Sequence, residues 1–101
     1  MLHISHSLKL ALAAALIIAP MATQAASRAD ILANSCAGCH GTDGKSAGTI
    51  PSIGGLKADY FSNAMKGFRD GSRQGSVMGR IAKGYSDEEI TLMAKHFSKL
   101  K

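Results

Sequence analysis

Cys36-Ala37-Gly38-Cys39-His40 is the stretch on which the reading of the whole chain turns. Two thiols three positions apart, with a histidine directly after the second, form the attachment sequence of a c-type haem. Two thioether bonds to the porphyrin vinyl groups hold the macrocycle against one turn of chain. That anchoring delivers the imidazole of His40 to one axial face of the iron. Ala37 and Gly38 are small enough to let the ring edge lie close to the backbone. The competing readings are a thioredoxin-type redox pair, half of a zinc site, or a disulfide. A zinc site needs more ligands than the sequence offers, and a redox pair does not require the histidine.

Outward toward the start of the chain, residues 1–25 read as an export signal. His3, His6 and Lys9 make a weakly basic head, Leu10 to Ala19 is an unbroken apolar run, and Pro20 interrupts it. The run is short of the roughly 20 apolar residues a membrane helix requires, and Thr23-Gln24-Ala25 suits signal-peptidase cleavage before Ala26. An uncleaved anchor is the alternative; the lack of a strongly basic flank argues against it. The reading places the mature protein in the periplasm without membrane insertion. His3 and His6 receive no role as ligands.

Residues 26–101 then form one small domain. A chain of this size buries only about 60% of its unfolded surface and usually needs a staple. With both cysteines, Cys36 and Cys39, committed to the porphyrin, no disulfide remains to supply it. The haem itself must complete the core, so the apo-chain is expected to be largely unfolded.

The formal net charge of +5 becomes +4 once Lys9 leaves with the signal. Basic residues are spread from Arg28 to Lys101 without a dense cluster, and the few aromatics fall in core-like stripes, so nucleic-acid binding is not indicated. The charge serves either to steer the protein toward an acidic redox partner or simply to keep it soluble.

The fold class expected is all-α, with three main helices and intervening loops around the cofactor. Ser27 and Asp30 suit a helix start that runs into the attachment sequence. From His40 to Leu56 the chain is rich in Gly, Ser and Thr, with Pro51, and reads as loop. A second helix covers Ala58 to Asp70, with Tyr60, Phe61, Ala64, Met65 and Phe68 as its apolar stripe and Gly71 as its stop. Gly71 to Gly84 reads as loop. Ser86 and Glu89 make a capping box for the last helix, with Tyr85 and Ile90 as a hydrophobic staple. Its stripe is Ile90, Met93, Ala94, Phe97 and Leu100.

A six-coordinate electron-transfer haem needs a second axial ligand, usually Met or His. Met65 and Met93 lie within helical stripes and read as core, and His96 as a solvated surface residue. Met78 sits in a glycine-flanked loop, 38 positions after His40, far enough along the chain to reach the opposite face of the ring. The metal ligands expected are therefore His40 and Met78, and the cofactor-binding residues Cys36, Cys39, His40 and Met78. The carbonyl of Pro51 is the expected acceptor for the His40 Nδ1–H, fixing its tautomer. Ile53 and Leu56 are expected on the porphyrin face.

With these residues in place, residues 26–101 resemble the single-domain class I cytochromes c, and within them the cytochrome subunit of flavocytochrome c sulfide dehydrogenase. The shared strings are Cys36 to Gly44, Pro51-Ser52-Ile53, and Val77-Met78-Gly79-Arg80-Ile81-Ala82-Lys83-Gly84-Tyr85-Ser86. The first is common among small bacterial cytochromes, and the last is far more specific to that subunit. The resemblance implies a periplasmic complex in which a flavoprotein subunit oxidises sulfide and a haem c subunit takes up the electrons. Some relatives carry two haem domains in tandem, whereas this sequence holds one attachment motif. A freely diffusing monohaem carrier to an oxidase or reductase is the second reading. A ligand-binding haem sensor or a peroxidase is the third, and the methionine loop offers it no distal histidine or carboxylate.

Overall fold

The computed structural model describes residues 27–100; the expected export signal lies outside them. Within this span the chain forms four helices and no strand: α1 (Arg28–His40), α2 (Ala58–Asp70), α3 (Met78–Ala82) and α4 (Asp87–Ser98), with a short 3₁₀ turn at Thr42–Gly44. None of these helices is long and apolar enough to cross a membrane.

The helix boundaries follow from local chemistry. At the start of α1 the Ser27 hydroxyl accepts from the Asp30 backbone N–H at 3.1 Å and donates to the Asp30 carboxylate at 2.7 Å. The capping box of α4 forms in both directions: Glu89 N–H donates to Ser86 Oγ at 3.2 Å, and Ser86 N–H to Glu89 Oε1 at 2.9 Å. Two orphan amides are thereby satisfied at one helix end. Gly71, in the left-handed region, ends α2 where expected.

Helix α4 packs against both α1 and α2, and α3 lies on α2. The core is correspondingly small. Phe61 and Met65 of α2, Ala33 of α1, Ala82 of α3, and Ile90, Met93, Ala94 and Phe97 of α4 are its buried members. The Phe61 and Phe97 rings stack with centroids 5.4 Å apart. Met65 and Met93 fill this core, as their helical spacing requires.

Three positions depart from the sequence reading. The stretch read as loop from Gly71 to Gly84 contains α3, anchored to the core by the fully buried Ala82. Tyr60, placed in the apolar stripe of α2, is 49% exposed; its hydroxyl accepts a hydrogen bond from Arg73 Nη2 at 3.2 Å. A phenol suits such a position, because its ring covers apolar neighbours while its oxygen stays with polar partners. His96 is partly buried rather than fully solvated. Its Nδ1 lies 3.4 Å from Asp30 Oδ1, and its ring stands edge-on to Phe97.

Candidate functional site

Cys36, Cys39 and His40 occupy the last turn of α1. Spacings of three and four residues bring them onto neighbouring positions of one helix face. Nothing lies within 4 Å of where a side chain on Gly38 would begin, so the chain between the two thiols borders open space.

Directly after His40 the backbone reverses at Gly41, where φ is +88° and a Cβ would fall 1.8 Å from the Lys45 carbonyl oxygen. Only glycine permits both the conformation and the contact. The turn at Thr42–Gly44 follows, and the Gly44 carbonyl accepts from Ile53 N–H at 2.8 Å and Gly54 N–H at 3.0 Å. These bonds fold the loop back on itself. Ser52 Oγ accepts from Ser46 N–H at 3.0 Å, and Phe97 O accepts from Gly55 N–H at 2.8 Å, tying the returning strand of loop to α4.

The result is that Pro51 arrives beside His40, and the His40 Nδ1–H donates to the Pro51 carbonyl at 2.6 Å. A carbonyl can only accept, so the proton sits on Nδ1 and the Nε2 lone pair is left for a Lewis acid. Proline suits this site because it stiffens the loop while leaving its carbonyl unobstructed.

Met78 enters from a separate element, as the first residue of α3. Its approach is set by a tight contact of the preceding loop with α2: a Cβ on Gly75 would stand 2.8 Å from Phe68 Cε1 and 3.4 Å from Met78 Cβ. Cys36 and Met78, together with Leu32, Ile53, Leu56 and Phe68, are half-buried hydrophobics packed against the same core.

Cys36 and Cys39 form no disulfide, and Cys36 is half-buried while Cys39 is exposed. Partial burial pushes the Cys36 thiol above its ordinary pKa, with the Ser35 hydroxyl opposing more weakly. A reactive Cys-x-x-Cys pair requires the opposite shift. Among the described residues no group of three His, Cys, Asp or Glu converges on a point.

The residues present fit a covalently bound haem. The donors comprise two thiols, an imidazole with a fixed tautomer, and a thioether on another element. Beside them in sequence Ile50, Val77 and Ile81 are 42%, 52% and 42% exposed, apolar surface that a large flat hydrophobic body would cover.

The hydrogen bond expected between His40 and the Pro51 carbonyl is present. The sequence reasoning missed Tyr85, whose hydroxyl shares a 2.6 Å hydrogen bond with Ser35, the neighbour of Cys36. The Tyr85 carbonyl in turn accepts from Arg69 Nη1 at 3.2 Å, and Arg69 pairs with Asp87. Tyr85 thus braces the attachment helix against the segment leading into α4. A tyrosine at the residue before a helix cap was the only signal, and it was absorbed by the staple.

Comparison with known proteins agrees with this geometry. The family model described as cytochrome c matches residues 25–101. The chain is 55% identical over 74 residues to the cytochrome subunit of sulfide dehydrogenase from Chlorobaculum tepidum, covering 73% of this chain and 67% of that protein. It is 42% identical over 96 residues to cytochrome c-553 of Nitratidesulfovibrio vulgaris, covering 90% of this chain and 93% of that protein. A thiosulfate dehydrogenase electron acceptor from Thiomonas intermedia is 38% identical over 71 residues, which span 68% of this chain and 33% of that protein.

Proposed function

The chain belongs to the cytochrome c family, and from that membership we propose that it is a periplasmic electron-transfer protein with one covalently attached haem c. Residues 1–25 act as its export signal and residues 26–101 as the haem domain. The haem supplies one-electron chemistry between ferric and ferrous iron. Cys36 and Cys39 would hold it by thioether bonds, and His40 and Met78 would supply the ligands to its iron. The Pro51 carbonyl holds the His40 ring in one tautomer and makes it a better donor. The thioether of Met78 favours the reduced state relative to a second imidazole. The chain makes and breaks no substrate bond of its own; it relays electrons.

The partner that best suits it is the flavoprotein subunit of a sulfide dehydrogenase. The observation carrying this reading is the 55% identity to a cytochrome subunit of such an enzyme. The near end-to-end match with a cytochrome c-553 favours a second reading, a freely diffusing carrier. Purification of the intact protein from its native source separates the two. A complex with combined flavin and haem spectra supports the subunit, and a haem-bearing monomer supports the carrier. Carbon monoxide tests the common premise, because a Met78-ligated iron resists it; rapid stoichiometric binding to the reduced protein at neutral pH would instead indicate an open distal site.

A further inference from the structure

The loop that leads into Met78 is lightly tied to the rest of the molecule. Ser72 N–H donates to the Asp70 carboxylate at 2.8 Å, and Arg73 N–H donates to Gly67 O at 3.0 Å. Beyond that point no backbone hydrogen bond joins residues 74–77 to α2 among the described residues. Residues 71–77 are all exposed. The helix that follows, α3, is five residues long and has no side-chain cap, and a helix so short holds little stability of its own. Met78, its first residue, therefore takes its position from whatever fixes the loop in front of it.

Phe68 is the residue on which that loop gathers. It is half-buried and packed against the core. A Cβ on Gly75 would stand 2.8 Å from Phe68 Cε1 and 3.4 Å from Met78 Cβ, and one on Gly79 would lie 3.6 Å from Phe68 O. Arg73 supplies a further contact. Its guanidinium carbon lies 5.2 Å from the Phe68 ring centroid and 5.6 Å from that of Tyr60, and its Nη2 donates to the Tyr60 hydroxyl at 3.2 Å. No carboxylate among the described residues pairs with it. The guanidinium is engaged instead with two aromatic side chains eight positions apart on α2, a span of about 12 Å along the helix axis. A planar, delocalised cation suits such stacking better than an ammonium does.

Resting on the reading of Met78 as a ligand to the iron, we infer that Arg73 is a positioning residue for that thioether. Its clasp on Tyr60 and Phe68 pins the loop of residues 71–77 to α2 and so holds Met78 where it can ligate. The route is a chain of contacts: Arg73 to Phe68, Phe68 to Gly75, and Gly75 to Met78. None of the buried core residues belongs to this loop, so opening the clasp leaves the helical core in place. It frees the loop, and an outside base then competes with the thioether more successfully.

Titration of the ferric holoprotein with imidazole, followed through loss of the thioether-to-iron charge-transfer band, measures how firmly Met78 is held. Arg73→Ala should bind imidazole roughly fivefold or more tightly than the wild type, the combined effect of two ring contacts and one hydrogen bond. Tyr60→Phe keeps the ring and loses only the hydroxyl, so its rise should be smaller. Arg73→Lys should fall between Arg73→Ala and the wild type; a lysine variant equal to the wild type would show that charge alone matters and overturn the clasp. Amide exchange in residues 72–77 should quicken in Arg73→Ala while the helical circular dichroism stays unchanged. An unaltered imidazole affinity, unaltered loop exchange, or a band lost only together with the helical signal would each overturn the proposal. A wild-type holoprotein without the thioether band would refute Met78 ligation itself and the proposal with it. That outcome is distinct from failure of the clasp alone, in which the band is present and does not respond to Arg73.

Discussion

Replacing the methionines one at a time separates a ligand from a core residue. Met93 is fully buried and Met65 is 5% exposed, so Met93→Ala and Met65→Ala each remove packing worth about 2–5 kcal/mol. For a domain of this size that lowers Tm by roughly 8–40 °C, taking about 4–8 °C per kcal/mol. Neither change touches the donor set, so the folded fraction keeps the thioether-to-iron charge-transfer band. Met78 is only half-buried, and its packing contribution is nearer 1–2 kcal/mol, about half of a full burial. Yet Met78→Ala should abolish the band entirely, and Met78→His should restore a low-spin spectrum at a lower reduction potential. The assay is visible absorption with a thermal melt on each holoprotein, followed by potentiometry. A Met78→Ala protein that keeps the band, or a folded Met65→Ala protein that loses it, would refute the assignment.

Other outcomes follow from the same structure. Gly41→Ala drives a Cβ into the Lys45 carbonyl at a positive φ, and should cost more than about 1–3 kcal/mol of backbone strain together with reduced haem incorporation; an unchanged denaturant midpoint and Soret yield would contradict it. Arg69 holds the Asp87 carboxyl below its ordinary value of 3.8, so the pair stabilises the folded state fully above that pH and loses its contribution as pH falls through the folded-state value. Asp87→Asn should accordingly match the wild type in strongly acid solution and melt below it at pH 7, a gap that thermal melts across pH will show or exclude. With Cys36→Ala and Cys39→Ala together, the core is left to its few buried side chains, and circular dichroism should show a largely unfolded chain; a native-like helical spectrum would mean that the protein core suffices.

The parts of this fold legible in sequence are those set by short-range chemistry. Ser27 and Ser86 announce helix starts because a hydroxyl reaches the amide three residues on, and Gly71 marks a stop because it alone enters the left-handed region without strain. Pro51 could be paired with His40 because few carbonyls in a glycine-rich loop are held still. Helix α3 was hidden. Five residues are too few to display a period, Val77 provides no side-chain cap, and the surrounding glycines read as loop. Contacts between distant elements were equally silent: Ser35 with Tyr85, Arg28 with Glu88 at 2.8 Å, and His96 with Asp30. Nothing local in Tyr60 distinguished a stripe residue from one whose phenol reaches outward to Arg73.

The packing of α4 on α1 has a consequence for biogenesis. A polypeptide delivered amino end first exposes both thiols while α2, α3 and α4 are still to come. Ala33 closes against α4 in the finished core, and a core that needs the haem to complete it leaves α1 pliable and reachable by an attachment machinery until then. The seam between the two helices is thus expected to tighten after covalent modification rather than before it.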